Sequence, residues 1–84
     1  MFVEKENALS VKLEFKDFGE AFSFMKEVAE ISEKLNHHPD WSNKWNRVEV
    51  QLYTHDQGDV VTEKDHLLAN AINTIAQKYS PKIL

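Results

Sequence analysis

The feature that most constrains the fold is a change of hydrophobic period, made twice along a short chain. Leu9, Val11, Leu13 and Phe15 alternate with Ser10, Lys12, Glu14 and Lys16, the pattern of a strand with one buried face. From Phe18 the spacing becomes helical: Phe18, Ala21, Phe22, Met25, Val28, Ala29 and Leu35, with Ser32 among them, trace one stripe. Asp17, with Glu20 three residues on, supplies a capping-box start. Asn36 to Pro39 stops the helix, because the residue before a proline is pushed out of the α region. The change then repeats. Val48, Val50 and Leu52 alternate with Arg47, Glu49, Gln51 and Tyr53, and Leu67, Leu68, Ala71, Ile72, Ile75, Ala76 and Tyr79 mark a second helix. Thr62 caps that helix with Asp65 at its third position, and Pro81 ends it.

Two shorter strands complete the pattern. Phe2-Val3 is expected to pair through a turn at Glu6-Asn7, and Val60-Val61 to return after a turn at Asp56 to Asp59. The order is then β-β-α-β-β-α. Tight connections within each strand pair predict an α+β fold, a four-stranded antiparallel sheet with both helices on one face.

With 84 residues the chain reads as one domain, 1–84, with material for a single core. A core this small is stabilised by burying further surface in an oligomer, and the free sheet face needs either cover or polar residues. The net charge of −4 argues against nucleic acid, which asks for a clustered basic surface. There is no cysteine, so thiolate chemistry and cysteine-based zinc sites are excluded. No signal peptide and no apolar run of membrane length stand out, so a cytoplasmic protein without membrane partners is the expectation.

The residues with most chemical content are Glu33, His37, His38, Pro39, Asp40 and Trp41, answered downstream by Thr54 and His55. Histidine has the side-chain pKa nearest neutrality, so converging imidazoles suit proton transfer. In extended chain, neighbours point to opposite faces. At a helix end followed by proline the chain turns, and both rings can face one hollow. The helix C-terminus and Glu33, one turn before His37, favour the imidazolium, whereas burial or a second imidazolium favours the neutral ring. Adjacent histidines are poor partners for a shared metal ion, and no fourth ligand stands out. Trp41 reads equally as a core aromatic or a lid over a flat ligand. Trp45 falls on the polar side of the strand, and His66 reads as surface.

Taken together, Glu33-x-x-x-His37-His38-Pro39-x-Trp41, Asn46-x-Val48, Thr54-His55 and the cap Thr62-Glu63-Lys64-Asp65 resemble the pterin-4a-carbinolamine dehydratase family. The resemblance runs from about Phe15 to Tyr79. It implies an α+β fold assembled into dimers or tetramers, and loss of water from 4a-hydroxytetrahydrobiopterin to give quinonoid dihydropterin. Neither a metal nor a redox cofactor is implied. By the same resemblance His37 and His55 are the acid and base and His38 holds the pterin. Glu33 and Asp65 stand at the pocket, Pro39 fixes the loop, and Trp41 walls the substrate. A functional link to an aromatic amino-acid hydroxylase is also implied. Three positions depart from the family pattern. Trp45 stands where the family has Tyr, Asp56 to Val61 is one residue longer, and Met1 to Glu6 replaces the usual N-terminal helix. Related domains also act as protein-binding or assembly modules, including a dimerisation cofactor of a transcription factor and carboxylase assembly factors, which is the alternative function.

Overall fold

The two alternating segments meet as their periods require. The computed structural model describes all residues from Met1 to Leu84. Its elements are β1 (Val3–Lys5), β2 (Ala8–Glu14), α1 (Phe18–Leu35), β3 (Asp40–Lys44), β4 (Arg47–Leu52), α2 (Glu63–Gln77) and β5 (Lys82–Ile83), with a single 3-10 turn at His55–Gln57. β2 and β4 pair antiparallel with Leu9 opposite Leu52, Val11 opposite Val50 and Leu13 opposite Val48. That register puts every aliphatic side chain on one face; a slip of one residue would turn them all to solvent. The sheet order is β1-β2-β4-β3, and β5 joins β2 beyond the end of β1.

Both helices cover the aliphatic face. Ala21, Phe24 and Val28 from α1, and Leu68, Ala69, Ile72 and Ala76 from α2, close one core over Leu9, Val11, Leu13, Phe15, Val48, Val50 and Leu52. Phe24 stacks tilted on Phe15 with ring centroids 4.8 Å apart, and Tyr79 meets both rings edge-on at 6.2 and 6.4 Å. Such aromatic pairs add to the stabilisation of area burial by about 0.5–1.5 kcal/mol each. The opposite face of the sheet is polar. Lys12 reaches Glu49 at 3.7 Å, Arg47 reaches Glu14 at 3.1 Å, and the Tyr53 hydroxyl donates to Asp40 at 3.1 Å. Charge, rather than cover, solvates that surface.

The α+β architecture follows the sequence expectation, but the antiparallel sheet has five strands rather than four, β5 being the addition, and local assignments differ. The partner of β4 is Asp40–Lys44, whereas Val60 makes only an isolated bridge to Thr54 and Val60-Val61 forms no strand. β3 is an edge strand with no aliphatic alternation. Its inward positions are Trp41, opposite Val50, and Asn43, opposite Val48. Trp45 belongs to the β3–β4 turn, with φ of 51°, and is exposed. Without glycine at that position the hairpin carries no sequence signal.

The helical stripes are also rotated. On α1 the buried residues are Ala21, Phe24, Val28 and Ser32, while Phe18 and Phe22 stack on each other in solvent and Ala29 and Leu35 are exposed. On α2 Ala69 is buried and Leu67 exposed. Each helix carries more apolar residues than one core-facing arc can hold, so spacing alone does not select among them.

Candidate active site

Three histidines are set by the ends of elements rather than by their middles. α1 closes at Asn36, whose φ of 52° turns the chain left-handed while its N–H bonds to the Glu33 and Ser32 carbonyls. The His37 N–H also bonds to the Ser32 carbonyl, at 3.1 Å. Asparagine tolerates this conformation better than most residues, so the helix end directs His37 inward and His38 outward. At the far end of the sheet, Thr54 follows β4, and its N–H bonds to Val60 O at 2.8 Å. His55 then starts the 3-10 turn, which Gly58 closes at φ 88°.

Each imidazole has its own carboxylate. His37 Nε2 lies 2.6 Å from Asp65 Oδ1, with the histidine side chain 11% exposed and the aspartate fully enclosed. His38 Nε2 is 2.5 Å from Glu33 Oε2, and His55 Nδ1 is 2.7 Å from Asp59 Oδ1, both pairs in solvent. Exposed pairs of this kind are worth 0–1 kcal/mol. The His37–Asp65 pair is the one held rigidly.

Asp65 accepts two further bonds at Oδ2, from the Thr54 hydroxyl and from the Thr62 N–H, both at 2.8 Å. Burial pushes its carboxyl pKa up, but the bonds from His37, Thr62 and Thr54 outweigh this and hold it below the ordinary aspartate value. An ionised carboxylate can only accept. His37 therefore donates through Nε2–H, and Nδ1, which no group of the chain occupies, reaches solvent. This is the arrangement in which a carboxylate fixes a tautomer and stabilises the imidazolium formed when the ring takes up a proton.

Beside the pair, His38, Pro39, Asp40, Tyr53 and His55 line an open cleft of about 340 Å³. That is within the range of small-molecule sites. Within it His38 keeps Nδ1 free and His55 keeps Nε2 free, since their other nitrogens face carboxylates. The Tyr53 phenol donates to Asp40, and that bond together with the carboxylate charge pushes its pKa up. The hydroxyl thus stays a neutral donor at neutral pH.

The structure gathers His38, Pro39 and His55 at one cleft, sets Glu33 on His38, and joins His37 to Asp65 outside the cleft lining. Trp41 packs against the core instead and does not line the cleft, because its register opposite Val50 turns it to the helix side. The sequence marks Asp40, Thr54 and Thr62 as part of the motif without a role for them at the site, and does not mark Tyr53 or Asp59 at all. The i,i+4 spacing of His55 and Asp59 was a visible signal. The Thr54–Asp65 contact, across a loop, had none. No group of three or more His, Asp or Glu side chains is arranged to hold a metal ion.

Comparison with known proteins gives a consistent result. The sequence profile of the family described as pterin 4 alpha carbinolamine dehydratase matches residues 2–75. A protein of Rhodopseudomonas palustris, provisionally named pterin-4-alpha-carbinolamine dehydratase, is 51% identical over 79 residues, 94% of this chain and 77% of its own. One of Rhodospirillum rubrum with the same provisional name is 52% identical over 68 residues, 81% of this chain and 70% of its own. Among solved structures, the transcriptional coactivator/pterin dehydratase from Brucella melitensis superposes with a TM-score of 0.82 at 45% identity, over 90% of this chain and 80% of that one. A pterin dehydratase-like protein identified as a RuBisCO assembly factor in the alpha-carboxysome shares the fold, with a TM-score of 0.72 at 19% identity over 90% and 87% of the two chains. With the profile spanning residues 2–75 and relatives 51% and 52% identical over 94% and 81% of this chain, the chain belongs to the pterin-4-alpha-carbinolamine dehydratase family.

Proposed function

We propose that this protein dehydrates a 4a-hydroxytetrahydropterin, giving quinonoid dihydropterin and water, by histidine acid/base catalysis. The reaction breaks the C4a–O bond and the N5–H bond and forms the C4a=N5 double bond. One group protonates the departing hydroxyl, and another accepts the N5 proton, so no electrons are exchanged with a cofactor. The observation that carries the reading is the buried His37–Asp65 pair beside a cleft lined by His38 and His55. His37, with Nε2 bound to Asp65 behind it and Nδ1 free of any partner in the chain, suits the base. His55, exposed to solvent and open at Nε2, suits the acid, and His38 with Glu33 holds the pterin. Each such group contributes about 10²–10⁴ in rate.

Supplied with the 4a-hydroxypterin, the wild-type protein is expected to outpace the spontaneous dehydration. His37→Ala and His55→Ala are each expected to lose on the order of 10² or more in kcat. A wild-type rate equal to the uncatalysed one overturns the proposal. The physiological setting would be regeneration of the pterin used by an aromatic amino-acid hydroxylase, in the cytoplasm, by a dimer or tetramer.

The stacked, exposed pair Phe18 and Phe22 favours a second role as a protein-binding module. The assembly factor that shares this fold supports the same reading. It predicts a stable protein complex that survives His37→Ala but not Phe22→Asp.

A further inference from the structure

The acceptors of the buried network outnumber its protons, and this fixes the direction of each bond. Thr54 lies 1% exposed between the end of β4 and the start of α2, with its Oγ1 2.8 Å from Asp65 Oδ2 and 2.5 Å from Thr62 Oγ1. The single Thr54 hydroxyl proton goes to Asp65, the only one of the two partners unable to donate. Thr62 must therefore donate its own proton to Thr54. Oδ2 of Asp65 then has both lone-pair directions filled, by the Thr54 hydroxyl and the Thr62 N–H, from two different elements. The carboxylate plane is pinned, and Oδ1 is left for His37 alone.

We infer that Thr54, ordered by Thr62, is a positioning residue for His37. It holds Asp65 as a one-sided acceptor, so that Nε2 carries the ring proton and Nδ1 is the nitrogen that exchanges a proton with substrate. The catalytic half of this inference rests on the dehydratase reading above. The tautomer half does not. Thr54 does not itself line the cleft, and its hydroxyl bonds to no imidazole, so its effect on His37 passes through Asp65. Valine matches threonine in shape and removes the hydroxyl, both the bond it donates to Asp65 and the one it accepts from Thr62. Serine keeps the donor and removes a methyl.

The test pairs kinetics with side-chain ¹⁵N NMR of the full chain at a pH where His37 is neutral. Wild type is expected to show His37 as a single Nε2–H tautomer, and Thr54→Val a mixture. With the 4a-hydroxypterin, Thr54→Val is expected to lower kcat on the order of tenfold with KM within about twofold, as misplacement of a reacting group does. Thr54→Ser should recover kcat to within about twofold of wild type. Thr62→Gly removes the second hydroxyl at a helix position where glycine is well tolerated. It gives the same tautomer loss in milder form, and it serves as the test if Thr54→Val does not fold. A His37 tautomer unchanged in whichever of these variants folds overturns the inference, as does Thr54→Ser behaving like Thr54→Val. Absence of dehydration in wild type would instead overturn the dehydratase reading, with the NMR result still deciding what Thr54 does.

Discussion

At the scale of single residues, Asp65 has the most to do. It caps α2 through the Thr62 N–H, ties β4 to α2 through Thr54, and fixes His37. Asp65→Asn retains the shape but offers an N–H₂ group where acceptors are needed. We expect a loss of about 1–3 kcal/mol in stability from the mismatched buried donors, measured by urea unfolding. The pH dependence has a definite sign. The folded carboxyl titrates below its unfolded value of about 3.9, so its contribution is complete above that pH and is lost as pH falls through the folded pKa. Thermal melts between pH 7 and pH 2.5 should therefore show a shallower acid decline in Asp65→Asn than in wild type. Equal slopes would mean that the carboxylate is not the group whose protonation loosens the fold.

At the scale of elements, the chain settles which face of each helix is core by means that the stripes do not display. Phe22 fits the helical spacing as well as Phe24 does, yet Phe24 is fully buried and Phe22 is 54% exposed. The consequence is a contrast within one turn of helix. Phe24→Ala should cost about 3–5 kcal/mol, the usual penalty for an aromatic core truncation, whereas Phe22→Ala should stay within about 0.5 kcal/mol. Chemical denaturation of the two variants decides it, and comparable losses would place α1 in a different rotation. A second device joins the helices at the other end of the core. Glu27 of α1 accepts from the Tyr79 hydroxyl and from Lys78, just beyond α2. The bond to Glu27 pushes the Tyr79 phenol up to about 12. Since the folded value lies above the unfolded one, this contribution is whole below about pH 10 and is lost as pH rises toward 12. Alkaline unfolding of Tyr79→Phe should lack that component. A wild-type alkaline profile in the variant would assign the transition to another group.

At the scale of the whole molecule, the sequence by itself determined the two helices and their caps, the inward face of β2 and β4, and the histidine pair at a helix end. These are local matters: a period of two or of 3.6, a capping side chain, a proline that ends a helix. It did not disclose β3, because an edge strand that half-buries only Trp41 and Asn43 carries no aliphatic alternation. Nor did it disclose the rotation of α1 and α2, which depends on how two helices share one sheet face. The site divides in the same way. His37, His38, His55 and Asp65 stand out by type and spacing, but which carboxylate serves which imidazole was decided in three dimensions. Glu33 lies four residues before His37 but bonds to His38, and Asp65, 28 residues beyond His37, holds it. Sequence neighbours compete for an exposed side chain at little energetic difference. A buried carboxylate must be matched by donors from wherever the fold brings them, and only the packing of β4 against the start of α2 brings Thr54, Thr62 and His37 to one aspartate.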